Sequence, residues 1–286
     1  MSATTSEQGL ELREVPGPSA LGGGTRRALE LLYVIAVNDF KKTYLDTALG
    51  YLWSLARPLL TFGVLLAVFT HVFHFAARVH AYPAFLLFNV VLFGFFSEAT
   101  TVAVGSIVGH EAVVRKTQFP RLVIPLAVVF TALFNLLLNL VVAFVFVLAF
   151  GISISWTWLL LPVIMLLLFV YTTAVSMIVS ALYPRFRDVS LIWSVLSLAL
   201  FYATPVLYPL SLVSSSFFRN VIALNPLTPV FTLAQRWITE PSTPLPGSAA
   251  LGGPVRLAIA LLLYAAVCVF AVWVFRREAP RIAEEL

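Results

Sequence analysis

The chain has 286 residues, of which 60% are apolar and only 11% are charged. This composition excludes an ordinary soluble protein, because too little polar sequence remains between the apolar stretches to cover a folded domain. The net charge of +5 would suggest a nucleic-acid partner for a soluble protein. In a membrane protein it reflects the excess of Lys and Arg in cytoplasmic loops, so we expect a polytopic membrane protein and no nucleic-acid partner.

The N-terminal part of the chain is divided into two segments by composition. Residues 1–24 are polar and rich in Ser, Gly and Pro, without the apolar run of a signal peptide, and we expect a disordered cytoplasmic tail. Residues 25–46 carry apolar side chains at helical spacing, such as Leu29, Leu32 and Ala36. This pattern predicts an amphipathic helix in the inner membrane interface, with a plain soluble helix as the alternative.

Residues 47–286 form the predicted transmembrane domain. About 20 apolar residues of helix cross the hydrocarbon core of a bilayer, and six segments approach that length. The six predicted spans are Leu52–Phe75, Ala84–Gly109, Leu122–Phe150, Thr157–Leu182, Val189–Tyr208 and Leu257–Phe275. The predicted fold class is therefore an all-α polytopic membrane protein with six transmembrane helices.

The distribution of Lys and Arg predicts the orientation of these spans. If the N-terminus is cytoplasmic, 14 of the 18 Lys and Arg residues fall in the tails and loops on the inner side. The positive-inside rule then predicts a multi-pass protein of the plasma membrane with both termini in the cytoplasm.

Two connecting segments are more apolar than simple loops. The inner loop 109–125 is amphipathic, and the outer segment 209–254 contains two apolar patches, at 217–224 and 230–238. Each patch is too short to cross the membrane. We therefore expect a re-entrant pair of short helices that enters the outer leaflet before the last span, where backbone must pack against protein or a water-filled cavity.

The sequence lacks the common motifs of nucleotide or metal binding. It has no G-x-x-x-x-G-K-[ST] phosphate loop and no zinc-ligand spacing, so we expect no cofactor, metal or catalytic residue on this chain. Glu98 is the only acid deep in a predicted span, which is too few for ion coupling. Glu98 either lines a conduit or packs between helices. Asn135 and Asn139 are interpreted as interhelical hydrogen-bonding residues rather than a binding site.

Four motifs, in order along the chain, resemble those of ABC-2-type permeases. They are LGYLWSLARPL at 49–59, KTQFPRLVIP at 116–125, RDV at 187–189 with TPVLYP at 204–209, and NPLTP at 225–229 with Arg236 beyond it. More narrowly, the chain resembles the membrane subunits of polysaccharide exporters of the O-antigen, teichoic acid or cell-wall galactan type. The one small departure is Thr204, where Ser is expected.

The resemblance implies a homodimer of permease subunits with two separate ATPase subunits, which bind ATP and Mg. The cargo would be a polysaccharide linked to polyprenyl pyrophosphate, carried to the outer side of the membrane along the dimer axis, on a path that the first and fifth spans line. The inner loop would dock on the ATPase. The residues predicted for this coupling are Glu111, Arg115, Lys116 and Phe119.

Aromatic side chains are candidates for the conduit, because sugar rings stack their C–H faces on aromatic rings. The predicted conduit residues are Phe62, Phe69, Phe73, Trp193, Phe201, Tyr202 and Tyr208. The alternative for each is ordinary packing between helices or contact with lipid.

Basic residues and the outer segment supply the remaining predicted sites. Lys41, Lys42 and Arg57 would bind the cargo's pyrophosphate, or anionic lipid head groups instead. The predicted outer gate consists of Phe217, Phe218, Arg219, Arg236 and Trp237. A salt bridge within the segment would also explain the two arginines.

The sequence is also compatible with two other functions. Permeases that export a small hydrophobic compound, such as a drug or lipid, would share this fold and topology. A membrane enzyme acting on lipid-linked sugars would need paired carboxylates, whereas Asp39, Asp46 and Asp188 are isolated from one another in sequence.

Overall fold

The structure is a computed structural model that describes residues 25–45, 52–74, 79, 81–111, 120–239 and 253–279. Every regular element within these residues is helical, which confirms the all-α prediction. The helices are α1 (Thr25–Leu45), α2 (Leu52–His71), α3 (Tyr82–Gly109), α4 (Val123–Ala149), α5 (Leu161–Leu182), α6 (Val189–Ala203), α7 (Ser216–Leu224), α8 (Thr228–Ala234) and α9 (Pro254–Glu278). A 3₁₀ turn, Trp156–Leu160, leads into α5, and a π-helical turn, Gln235–Thr239, continues α8.

Among the described residues, five helical segments are long and apolar enough to cross a membrane. These are α2, α3, α4, the segment Trp156–Leu182 and α9, and they match five of the six predicted spans. The remaining predicted span contains α6, which has only 15 residues. Helix α6 ends at Ala203 because Thr204 is extended, as expected for a residue that precedes proline, and Pro205 cannot continue the helix.

Helix α3 occupies the centre of the bundle and packs against α2, α4, α5 and α6. Its apolar residues are distributed all round the helix, so every face can be buried. Large side chains such as Phe85, Phe88 and Phe96 are fully enclosed. By contrast, α2 and α9 leave most of their apolar side chains exposed, as expected for helices that contact lipid or another subunit.

The two ends of the bundle are built differently. At the hairpin end, defined by α7 and α8, these short helices pack against α5 and α9, and the Tyr82 hydroxyl at the start of α3 donates to the Leu207 carbonyl at 2.9 Å. At the opposite end, α1 packs along α4 and buries Ile35 and Ala36. Asp39 on α1 lies 3.6 Å from the ring of His110, just beyond α3.

Several predicted segments lie outside the described residues. They include the tail 1–24, the coupling residues Arg115, Lys116 and Phe119, and positions 240–252 of the outer segment. The interfacial role of α1 stays a prediction, although its helical structure is confirmed.

Candidate functional site

A cavity of about 980 Å³ lies among α2, α3, α4 and α6, and we call it the central cavity. All four helices contribute polar side chains to its wall. These are Ser54, Arg57, Thr61, Ser97, Glu98, Thr101, Asn135, Asn139, Ser194 and Ser197. An accumulation of hydroxyl, amide and charged groups is unusual inside so apolar a chain, and it makes this cavity the candidate site.

The polar face of α3 arises from a short run in its sequence. Ser97, Glu98 and Thr101 stand in a helix of 28 residues that is mostly apolar. Because positions three and four apart share one side of a helix, these residues can point in a common direction. All three line the central cavity.

Two hydrogen bonds connect the cavity wall across helices. The Asn135 side-chain amide donates to Glu98 Oε1 at 2.7 Å and thereby joins α4 to α3. The hydroxyls of Ser97 and Ser197 are 3.2 Å apart and join α3 to α6. The expected interhelical bond of Asn135 is therefore present, but the residue also lines the cavity, which the sequence interpretation missed.

A smaller cleft of about 350 Å³ continues from the central cavity toward α1. Glu98 and Asn135 line both spaces, so the pair stands at their junction. The cleft runs between α3 and α4 and reaches Asp39 and His110.

The predicted conduit aromatics fall in different environments. Phe201 lines the central cavity, and its ring centre lies 5.1 Å from that of Phe93. Phe62 and Trp193 are buried in the subunit, in edge-to-face contact with the rings of other core residues.

The other predicted conduit aromatics do not line this cavity. The rings of Phe69 and Phe73 stack at 5.1 Å near the end of α2. Tyr202 is exposed, and its carbonyl accepts a hydrogen bond of 2.7 Å from the hydroxyl of Tyr208. A conduit role for all seven aromatics stays a prediction.

The predicted basic and coupling residues are spread over the molecule. Arg57 lines the central cavity, whereas Lys41 is exposed on α1, and the side chain of Lys42 lies outside the described residues. Glu111 is partly buried, just beyond the end of α3. Of the members of this set whose side chains the structure describes, Arg57 is the one that lines the central cavity.

The predicted gate residues form two groups at the hairpin end. Phe217 and Phe218 are exposed on α7 with their rings edge to face at 5.6 Å, and Arg219 follows them on the same helix. Arg236 and Trp237 are partly buried in the π-helical turn, where the Trp237 carbonyl accepts a hydrogen bond from the side chain of Thr157.

A set of hydrogen bonds ties the helical hairpin to the end of α6, and we call it the hairpin clasp. The Asn225 amide donates to the Ala203 carbonyl at 3.1 Å and to the Thr204 hydroxyl at 3.0 Å. The Gln235 amide donates to the Pro205 carbonyl at 2.6 Å. Carbonyls at a helix end need donors from elsewhere, and the prolines that follow leave them unpaired. The Asn-Pro and Thr-Pro motifs marked this region in the sequence, but the hydrogen bonds that their residues form were not predicted.

Comparison with known proteins identifies the family. Residues 30–236 match the family model described as ABC-2 type transporter. An O-antigen export system permease protein RfbA of Klebsiella pneumoniae is 34% identical over 200 residues, which cover 69% of this chain and 76% of that protein. The RfbA protein of Myxococcus xanthus is 32% identical over 215 residues, covering 75% and 82%. The chain therefore belongs to the ABC-2 type transporter family and, with its several apolar helices, is a multi-pass membrane protein.

Proposed function

We propose that this protein is the permease subunit of an ATP-driven exporter, which moves a polysaccharide linked to polyprenyl pyrophosphate from the cytoplasmic to the outer side of the plasma membrane. The observation that carries this proposal is its similarity to two permeases named for O-antigen export. The central cavity supports it, because hydroxyl and amide groups from four helices line a space deep in an apolar bundle. Such a wall exchanges hydrogen bonds with sugar hydroxyls, which an apolar wall leaves unpaired.

In the proposed topology, α6 is the fifth of six spans, α9 is the sixth, and the hairpin end faces outward. Both termini and α1 are then cytoplasmic, in agreement with the bias of Lys and Arg. Helices α7 and α8 enter the outer leaflet and return. Their packing against α5 and α9 supports this arrangement, since re-entrant backbone needs protein or water around it.

The proposed partners are a second copy of this chain and two ATPase subunits, which hold the ATP and Mg. The loop that contains Glu111 and Arg115 docks on the ATPase in this proposal. Arg57 receives the cargo's pyrophosphate from the inner leaflet, and its place in the wall of the central cavity supports that role. The aromatic pair Phe217 and Phe218 belongs to the outer gate.

Conditional depletion of the protein tests the proposed function. Lipid-linked glycan is then quantified on each face of the membrane, by its accessibility to an impermeant glycosidase or lectin. We expect finished polymer to accumulate on the cytoplasmic face, and its sugar composition then identifies the cargo. Normal surface glycan without an inner pool would contradict the proposal and would favour export of a small hydrophobic compound.

A further inference from the structure

We propose that Glu98 and Asn135 form a binding site for the hydroxyl groups of one sugar unit of the cargo. This inference rests on the proposed function and specifies which groups in the central cavity contact the glycan. Both residues lie near the middle of long helices, α3 and α4. Both line the central cavity and the smaller cleft, so the pair stands where the two spaces meet.

The hydrogen bonding of Asn135 is incomplete. Its side chain is only 2% exposed, and its amide nitrogen donates to Glu98 Oε1 at 2.7 Å. Its amide oxygen, however, has no hydrogen-bond partner among the described residues. A buried acceptor without a donor is costly, and a ligand that brought a donating group to Asn135 in the wall of the cavity would remove that cost.

Glu98 adds a second group of acceptors beside that amide oxygen. Both oxygens of its carboxyl group can accept hydrogen bonds. One of these oxygens receives the bond from Asn135, and the residue still faces the cavity. Glu98 and Asn135 therefore place several hydrogen-bond acceptors beside the central cavity, and a ligand there would have to supply the donors.

The hydroxyl groups of a sugar ring are donors of the required kind. Neighbouring hydroxyls on one ring can donate to the carboxylate and the amide oxygen together. Ser97 and Ser197, which line the same cavity, both donate and accept and so extend the site.

A metal ion fits this site less well than a sugar. No group of three or more His, Cys, Asp or Glu that would hold a metal occurs in the part of the chain that the structure describes. Arg57 brings a positive charge to the same cavity, which disfavours a second cation.

The replacement Glu98→Gln separates this role from a structural one. Glutamine has nearly the same shape and keeps an oxygen that accepts the bond from Asn135, so the α3–α4 contact is retained. It replaces the other carboxyl oxygen by an amide NH2 group, which cannot accept a hydrogen bond from a sugar hydroxyl. Glu278→Gln is the matched control, because Glu278 is a buried acid at the end of α9 that pairs with Arg185, away from the cavity.

The variants are expressed in the depletion strain, and the appearance of glycan on the outer face is followed over time. We expect Glu98→Gln to export about tenfold more slowly than the wild type at equal protein level, the size of effect expected from losing one buried hydrogen bond. We expect Glu278→Gln to export at the wild-type rate. Export by Glu98→Gln at the full rate would overturn the inference.

A binding measurement gives a second readout. Trp53 lines the central cavity, so its fluorescence reports on an occupant. The probe is the glycan released from the lipid pool of the depleted strain, titrated into purified protein. We expect saturable quenching for the wild type and about tenfold weaker binding for Glu98→Gln. Equal binding by both proteins would contradict the proposal.

The two proposals fail in different ways. If depletion of the wild-type protein leaves no inner pool of glycan, the proposed function itself is wrong. If depletion produces that pool and Glu98→Gln clears it as fast as the wild type, only the sugar-binding site is wrong.

Discussion

The hairpin clasp and the central cavity both place polar side chains inside an apolar molecule, but they use them differently. In the clasp, Asn225 uses both ends of its amide: the nitrogen donates to Ala203 and Thr204, and the oxygen accepts from the Leu227 backbone. In the cavity, Asn135 uses only the nitrogen end. One residue type thus has two roles. Asn225, whose bonds are complete, holds the hairpin to α6, whereas Asn135, whose bonds are incomplete, lies in the wall of the proposed sugar site.

The largest loss of stability is expected from Asn225→Leu. This change removes three hydrogen bonds and leaves the Ala203 carbonyl without its donor. The free energy of unfolding should fall by about 2–4 kcal/mol, at about 1 kcal/mol for each bond. Thermal unfolding of the purified protein measures it. The control Asn38→Leu, at an exposed position on α1, should unfold like the wild type. Equal stability of Asn225→Leu and Asn38→Leu would show that the clasp does not contribute to the stability of the fold.

A smaller loss is expected from Gln235→Leu, which removes one bond and leaves the buried Pro205 carbonyl unpaired. The expected destabilisation is about 1–2 kcal/mol. Because Gln235 and Asn225 hold the same short segment, the double variant should lose less stability than the sum of the two single variants. Strict additivity in the same unfolding assay would indicate that the two residues act on independent parts of the structure.

Asn135→Leu tests the central cavity, the second of the two regions compared. The change removes one interhelical bond but also the unpaired amide oxygen, so we expect a stability loss of only about 1 kcal/mol. Export should nevertheless fall more than for Gln235→Leu when both are assayed at equal protein level. If Asn135→Leu is as unstable as Asn225→Leu but exports glycan at the normal rate per folded molecule, Asn135 is a structural residue and does not bind the cargo.

The smallest effect is expected from Ser97→Ala. The hydroxyl contact with Ser197 is long, at 3.2 Å, and either residue can find another partner in the cavity. We expect a change in stability of about 0.5 kcal/mol or less. Export should fall less than twofold in the same assay, and a loss as large as that of Glu98→Gln would move the centre of the sugar site toward α6.

The sequence alone was sufficient to predict the helices and to recognise the family, because both predictions depend on residues that are close together in the chain. Runs of apolar residues near 20 in length predict membrane helices, and motifs such as Asn225-Pro226 lie within a few positions of one another. The end of α6 at Ala203 was missed, although Thr204-Pro205 is a recognised signal for the end of a helix.

The site depended on packing that the sequence does not display. Ser97 and Ser197 meet although 100 positions separate them, and Glu98 meets Asn135 across 37 positions. The spacing of the aromatic residues alone also does not show which of them line the cavity, since the 24 Phe residues are spread over all the helices. Phe201 lines the cavity whereas Phe62 is buried, and only the assembled bundle separates the two.

The shortness of α6 has a consequence for the surrounding lipid. Its 15 residues extend over about 22 Å, less than the roughly 30 Å thickness of a typical hydrocarbon core. In the proposed topology this hydrophobic mismatch thins the bilayer beside α6. The barrier that a hydrophilic polymer crosses is then lower at that point, and transport should slow in membranes with longer acyl chains.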